Sequence, residues 1–320
     1  MEIYKLNGSE TNVFEGQQVD WNEHGIRFYE DVVYGQGGGH DIYLDLMIPE
    51  EKSDVPRPVI IWIHGGGWTS AELTKKYRPS KAIMDACKSG FVCASIDYRL
   101  VTENPFPAPI EDCKCAVRFL KAHAEELGID PERIGVWGES AGGQLAALIG
   151  ASPNNPRLEG DGGWKEYSSE VKAVCDWYCG GDMTHLGAYQ NSLVQERAKT
   201  LEITLSSMNF PGSSKSNQEE MTFDRMIFGK PGIEAAELAM DISPIFYVDQ
   251  KQPSYLLMHG DSDPLVPIDF SYNFYDALRS HGHDVTFLII PRQGHGFFTG
   301  QGYYDIIIDF FKKKLCEYPV

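Results

Sequence analysis

The amino-acid sequence predicts an α/β protein in which a mostly parallel sheet is covered by helices on both faces. Short apolar runs alternate with helical patterns along most of the chain, the order that produces parallel strands joined by crossover helices. The runs are bounded by glycine or proline and are apolar without interruption, which is typical of strands buried on both faces. With 320 residues, 42% of them hydrophobic and 23% charged, the chain is long enough to bury such a core.

About eight strands are expected. Residues 1–25 are polar and rich in turn formers, so we expect an extended arm or a piece of a lid there. Residues 27–34 and 41–47 predict two strands, which we expect to pair antiparallel across a glycine-rich hairpin loop. Further strands are expected at 58–63, 91–96, 134–137, 171–178, 254–258 and 285–290, and helices at 80–89, 110–127, 141–151, 270–281 and 302–315.

Residues 184–242 interrupt this alternation. Helical patterns at 192–205 and 233–240 flank a polar stretch, and no strand is predicted between them. A long insertion into such a sheet usually covers the site. We therefore expect a helical lid or cap at 184–242, inserted into a core formed by residues 26–183 and 243–320.

A serine lies in the strongest motif of the chain, Gly138-Glu139-Ser140-Ala141-Gly142. The motif follows an apolar strand and opens a helix rich in small residues, as a nucleophile elbow requires. The turn is too tight for side chains beside the serine, and the helix N-terminus favours a developing negative charge. Ser140 is therefore the predicted nucleophile.

Three glycines directly follow another predicted strand, in the motif HGGGW at residues 64–68. Glycines let the backbone approach a ligand and turn its N–H groups towards it. The amides of Gly66, Gly67 and Ala141 are the predicted oxyanion hole, in which losing one donor lowers the rate about 10²–10³-fold. His64 precedes the serine, whereas the base should come last, so we expect His64 to hold the glycine loop by a hydrogen bond.

Two carboxylates after a late strand are candidates for the acid. Asp261 and Asp263 both follow the apolar run at 254–258. A rigid Pro-Leu-Val-Pro turn follows Asp263 and would aim it into the site, whereas Asp261 is better suited to shaping the turn. We predict Asp263 as the acid, which fixes the histidine tautomer and stabilises the imidazolium.

Three histidines follow Asp263 and are candidates for the general base. His281 and His283 lie in a polar helix-to-strand loop, where a solvated histidine is expected. His295 follows an apolar strand and has a glycine on each side, which allows a loop that projects the ring over the serine. His295 is therefore the predicted base.

Several residues beside these motifs are candidates for the substrate pocket. Large aromatic residues are more often core than ligand contacts, so both assignments stay open here. The candidates are Trp68, Glu139, Trp177, Tyr178 and Phe297, with Phe298 next to the last of them. If several of them line a pocket, we expect a small acyl group or an aromatic hydroxycinnamoyl group there.

Four motifs, HGGGW, GESAGG, DSDPLVP and GHGF, occur in an order and at intervals that resemble two esterase groups. These are the hormone-sensitive-lipase-like esterases and the bacterial feruloyl and acetylxylan esterases. The resemblance runs from about residue 28 to the C-terminus and weakens in 184–242. It implies an α/β-hydrolase fold, a triad of Ser140, Asp263 and His295, and acetyl or feruloyl esters on plant-derived sugars. Acyl transfer through this triad needs no metal and no organic cofactor.

The net charge of −18 would repel nucleic-acid phosphates, so we expect a small-molecule or oligosaccharide ester as partner and no nucleic acid. No apolar window is long enough to span a membrane, and the polar N-terminus does not resemble a signal peptide. Seven scattered cysteines form neither a paired framework nor a zinc pattern, which favours a reducing cytoplasm. A secreted protein whose signal has been removed is the alternative, and a homodimer is one assembly that the sequence leaves open.

Other functions fit part of this pattern. An arylformamidase or a peptidase of the same fold would use the same triad. A binding module built on an inactive hydrolase fold is the alternative from another class, but such a module should have lost a triad residue or an oxyanion glycine. All of these residues are present, so the sequence predicts a serine carboxylesterase.

Overall fold

The computed structural model describes residues 11–14, 17–186, 223–230, 233–296 and 301–316. The strands in these ranges are β1 (Thr11–Phe14), β2 (Gln17–Asp20), β3 (Ile26–Gly37), β4 (His40–Pro49), β5 (Arg57–Ile63), β6 (Val92–Ile96), β7 (Ile129–Glu139), β8 (Ala173–Trp177), β9 (Ser254–Gly260) and β10 (Val285–Ile290). The helices are α1 (Ser80–Lys88), α2 (Ala108–Ala122), α3 (Ala124–Leu127), α4 (Ala141–Ala151), α5 (Phe223–Phe228), α6 (Ile233–Asp241), α7 (Asp269–Ser280) and α8 (Gln301–Leu315). Short 3₁₀ helices occur at Asn22–His24 and Pro244–Tyr247.

Eight strands form one sheet in the order β10-β9-β8-β7-β5-β6-β4-β3. β3 and β4 pair antiparallel, and β4 also runs antiparallel to β6. The strands from β5 to β10 run parallel to one another. The expected number of strands and the antiparallel first pair are confirmed. β1 and β2 form a separate two-stranded hairpin within the segment expected to be an extended arm.

Helices cover the sheet on both faces because successive residues of a buried strand point to opposite sides. In β5, Val59, Ile61 and Ile63 belong to a cluster packed against α2, α4 and α7. Ile60 and Trp62 point the other way, into a cluster packed against α1 and α8. The apolar runs that predicted buried strands are therefore explained by two separate hydrophobic layers.

Some boundaries differ from the predictions. The helix expected at 110–127 is divided, because His123 leaves helical geometry with a φ of −104° and a ψ of 20°. The expected hairpin loop is shorter, because Gly35–Gly37 still belong to β3. Of residues 184–242, the described part includes the helices α5 and α6, while the helix expected at 192–205 lies outside the described residues. No helix in the described ranges is long and apolar enough to cross a membrane.

The parallel strands place the predicted chemistry at one edge of the sheet. The loops after β5, β7, β9 and β10 carry the glycine motif, Ser140, Asp263 and His295, respectively. All four loops leave the carboxyl ends of parallel strands, and these ends lie along the same edge. Residues far apart in the sequence can therefore meet in one site.

Candidate active site

Ser140 occupies a sharp turn between the end of β7 and the start of α4. Its φ of 50° is rarely adopted by residues with side chains, and its N–H donates to the carbonyl oxygen of Trp177 at 2.9 Å. A Cβ added at Gly138 would lie 2.1 Å from the carbonyl oxygen of Gly142, and one added at Gly142 would lie 2.1 Å from that of Ile63. No side chain fits at either glycine, so both are required for the turn to form.

Ser140, His295 and Asp263 form a continuous hydrogen-bonded chain. His295 Nε2 lies 2.9 Å from Ser140 Oγ, and His295 Nδ1 lies 2.7 Å from Asp263 Oδ2. Burial opposes the ionisation of Asp263, but hydrogen bonds from His259, His295 and the Val266 N–H act in the opposite direction, and the pKa of this carboxyl lies well below its usual range. Asp263 is therefore an anion at neutral pH, as the acid of a serine triad must be.

The alternative acid and bases lie elsewhere. Asp261 is exposed, and its Oδ1 accepts the backbone N–H of Arg292 at 2.6 Å, so this carboxylate shapes the turn after β9. His281 and His283 precede β10 and thus lie at the opposite edge of the sheet from Ser140. Each bonds a backbone carbonyl oxygen, His281 that of Ala277 at 2.8 Å and His283 that of Val248 at 2.6 Å.

His64 and Tyr98 hold the glycine loop that follows β5. The carbonyl oxygen of Gly65 accepts hydrogen bonds from His64 Nδ1 at 2.8 Å and from the Tyr98 hydroxyl at 3.3 Å. The same hydroxyl donates to the carbonyl oxygen of His64 at 3.0 Å, and the two rings stack with their centroids 4.4 Å apart. Burial lowers the pKa of His64, which favours a neutral ring, and a carbonyl acceptor requires its proton on Nδ1. The expected hydrogen bond from His64 is thus present.

These bonds determine where the predicted oxyanion donors point. In a trans peptide the N–H and the C=O are directed to opposite sides. Because the oxygen of Gly65 is fixed, the N–H of Gly66 points away from His64 and Tyr98. The oxygen of Gly66 accepts two N–H groups further along the loop, each at 3.1 Å, so the N–H of Gly67 is fixed in the same way. Ala141 adds an N–H of the first turn of α4, where the helix dipole is positive.

Glu139 and Tyr178 connect the glycine loop to the base. The Tyr178 hydroxyl donates to Glu139 Oε2, and the Tyr178 ring lies edge-on to the His295 ring with centroids 4.8 Å apart. Burial raises the pKa of Glu139, although hydrogen bonds from the Tyr178 hydroxyl and from the Gly65 N–H act in the opposite direction. Glu139 and Tyr178, two of the residues predicted for the pocket, therefore lie beside the site, where Tyr178 contacts His295 and Glu139 bonds the glycine loop.

The other pocket candidates are placed differently. Trp177 is buried against the tryptophans of β5 and β7, with ring centroids 6.2 and 5.0 Å away, and this core position does not support the pocket assignment. Trp68 is also buried, and its ring lies edge-on to Phe106 with centroids 5.9 Å apart. Phe297 and Phe298 lie outside the described residues.

Three residues near the site were missed by the sequence reasoning. His259 bonds Asp263, Tyr98 bonds the glycine loop, and Asp176 lies buried beside α4, where burial raises its pKa to about 7. Each lies at or just after the end of a parallel strand of the predicted sheet, which is the signal that could have found them. Within the described ranges, no group of three or more histidine, cysteine or acidic side chains is arranged to hold a metal ion.

Several known proteins with similar sequences or structures are named as esterases. The chain is 28% identical to the probable carboxylic ester hydrolase LipM of Mycobacterium tuberculosis over 269 residues, which are 83% of this chain and 56% of LipM. It spans little more than half the length of the curated relatives that it matches over most of its own length. A solved structure described as a truncated form of a carbohydrate esterase from gut microbiota is 26% identical, with a TM-score of 0.73, covering 92% of this chain and 99% of that one.

A second solved structure, the bifunctional GH43-CE of Bacteroides eggerthii, is 28% identical with a TM-score of 0.68 and covers 90% of this chain and 38% of that one. These similarities confirm the α/β-hydrolase fold and the resemblance to esterases that the four motifs predicted. The BD-FAE family model matches residues 44–278, which include the glycine motif, Ser140 and Asp263. The chain therefore belongs to the BD-FAE family.

Proposed function

We propose that this protein hydrolyses carboxylic esters through an acyl-enzyme on Ser140. The observation that carries the proposal is the hydrogen-bonded chain from Ser140 Oγ through His295 to Asp263, with contacts of 2.9 and 2.7 Å. A hydroxyl bonded to a neutral imidazole, which is oriented by a buried carboxylate, is the arrangement that activates a serine. The relatives named as ester hydrolases support the same chemistry.

The reaction proceeds in two steps. His295 Nε2 takes the hydroxyl proton as Ser140 Oγ attacks the ester carbonyl, and the negative charge that forms on oxygen is stabilised by the N–H groups of Gly66, Gly67 and Ala141. His295 then returns the proton to the leaving alcohol, and an acyl-serine remains. Water attacks this ester in the same way, and the carboxylic acid leaves with the serine restored.

The substrates that we propose are acetyl or feruloyl esters of plant-derived carbohydrates. Two similar solved structures are described as a carbohydrate esterase and a bifunctional GH43-CE, and both cover at least 90% of this chain. The aromatic ring of Tyr178, which lies edge-on to the His295 ring, favours a small or flat acyl group over a long flexible one. The strongly negative chain also suits neutral esters better than anionic ones.

The test combines active-site labelling with a substrate panel. A fluorophosphonate probe should label the wild type at Ser140 and leave Ser140→Ala unlabelled, and this variant should lose about 10⁴–10⁶-fold in kcat. The panel contains nitrophenyl esters of increasing chain length, methyl ferulate and acetylated xylan. Absence of labelling in the folded wild type would refute the acyl-enzyme. Turnover of formylkynurenine or an aminopeptidase substrate in place of esters would reassign the reaction.

A further inference from the structure

Asp263 is shared by two histidines, and the mechanism above uses only one of them. His259 lies near the end of β9, is completely buried, and has its Nε2 3.1 Å from Asp263 Oδ2. His295 Nδ1 lies 2.7 Å from the same oxygen. The other oxygen, Oδ1, accepts the backbone N–H groups of Leu265 and Val266 at 2.8 and 3.0 Å. His259 is therefore part of what fixes the acid of the triad.

The contacts of His259 determine how many protons its ring carries. Nε2 faces Asp263 Oδ2 and also the carbonyl oxygen of Val266 at 2.9 Å, and both atoms only accept, so Nε2 carries a proton. Nδ1 lies 2.7 Å from Ser271 Oγ. That hydroxyl has a single proton and also lies 2.6 Å from the carbonyl oxygen of Cys179.

Two oxygen acceptors 2.6 Å apart without a proton between them would repel each other, so the Ser271 proton is directed to Cys179. Ser271 Oγ then offers only lone pairs to His259, and Nδ1 must carry a proton as well. Both ring nitrogens of His259 are therefore donors, which is the hydrogen-bonding pattern of an imidazolium.

We propose that His259 is a buried imidazolium that acts as a positioning residue for Asp263. The proposal rests on the proposed function, because its purpose is to prepare the triad. A charge-assisted bond fixes Oδ2 more firmly than a neutral one would. The positive charge of His259 also opposes the formation of a second positive charge on His295, which bonds the same carboxylate oxygen.

The charged groups around His259 support this assignment. Asp263 and His295 face it from the loops after β9 and β10. On the β8 side, burial raises the pKa of both the Tyr178 phenol and the Cys179 thiol, so neither supplies a negative charge at neutral pH. The charged side chains of the packed helix α7 are exposed to solvent, and they are Asp269, Asp276 and Arg279. Among the described residues, Asp263 is thus the anion in contact with the proposed cation.

Nitrogen NMR of the wild type tests the charge directly and requires no activity. With selectively ¹⁵N-labelled histidine at about pH 8.5, two units above the ordinary titration of histidine, we expect one ring with both nitrogens protonated. The signal should disappear in His259→Gln. A spectrum in which every histidine has one protonated nitrogen would overturn the proposal. Because the measurement does not depend on turnover, it tests the charge of His259 whether or not the protein proves to be an esterase.

The pH profile tests the positioning role. Glutamine at 259 retains an N–H donor but removes the charge, so we expect the acidic limb of kcat/KM to move to higher pH by about one unit. The matched control is His283→Gln, because His283 also bonds a carbonyl oxygen but lies at the other edge of the sheet. The pH profile of this variant should match that of the wild type.

A second variant is needed if His259→Gln does not fold. Ser271→Ala removes the partner of His259 Nδ1 and should shift the acidic limb in the same direction. An unchanged acidic limb in a folded variant would contradict the role.

Discussion

The hydroxyl group of Tyr98 offers a sharp test of how the oxyanion donors are oriented. Tyr98→Phe removes one oxygen atom and leaves the ring that stacks on His64. The carbonyl oxygen of His64 then loses its 3.0 Å bond, and that of Gly65 loses its 3.3 Å bond but keeps the 2.8 Å bond from His64 Nδ1. The peptide that carries the Gly66 N–H is therefore loosened without being released.

The expected magnitudes follow from these contacts. Losing the partner of a buried carbonyl oxygen costs about 1–3 kcal/mol of unfolding free energy. For a chain of 320 residues, an unfolding entropy of about 2.1 cal/mol/K per residue converts this cost to a fall in Tm of about 1.5–4.5 °C. Full loss of one oxyanion donor lowers kcat about 10²–10³-fold, so a loosened donor should lower it about 10- to 100-fold. KM should change little, because the donors bind the transition state more strongly than the ester.

The assay compares kcat and KM on nitrophenyl acetate with the Tm of each variant. Tyr34→Phe is the matched control, because the Tyr34 hydroxyl is also buried and donates to a carbonyl oxygen, that of Asp97, at 2.6 Å. Tyr34→Phe should lose similar stability and keep its kcat. If Tyr98→Phe and Tyr34→Phe have the same kcat, whether or not it is lower than that of the wild type, Tyr98 does not act through the glycine loop.

Two further predictions concern the scaffold of the site. Burial raises the pKa of Asp176 from 3.8 to about 7, so the native state holds its proton more tightly than the unfolded state and stability falls as pH rises from about 4 to 7. Asp176→Asn should therefore raise the Tm at pH 8 but not at pH 4, and an equal shift at both would contradict this reasoning. Gly142→Ala should give no folded, active protein, because its Cβ would lie 2.1 Å from the carbonyl oxygen of Ile63, whereas Gly302→Ala, with nothing within 4 Å, should behave as wild type. Soluble, active Gly142→Ala would show that the turn can shift.

Much of the fold was predictable because its signals are local. Periodicity and bounding glycines indicate a strand wherever they occur, and the eight-stranded sheet followed from counting them. Boundaries were less predictable, as the division of the helix at His123 illustrates. The cause there is a change of backbone direction at one residue, and the sequence pattern continues across it.

The different positions of Trp177 and Tyr178 show a second limit of prediction from the sequence. The two residues are adjacent and both aromatic, so composition assigns them alike. Trp177 ends β8 and its ring packs against Trp137, whereas Tyr178 follows the strand with a φ of 41° and its ring lies edge-on to His295. Only the orientation of the strand end distinguishes a core residue from one that contacts the site.

The sequence by itself predicted Ser140 as the nucleophile, because a tight turn that excludes side chains is specified by consecutive residues. It also indicated Asp263 and His295, since chain order and flanking residues are local properties. The tertiary structure decided which groups surround these three. His295 meets Asp263 because β10 lies beside β9, Ser271 meets Cys179 because β9 lies beside β8, and Tyr98 meets the glycine loop because β6 lies beside β5. Strand order is set by packing over the whole sheet, and no stretch of neighbouring residues encodes it.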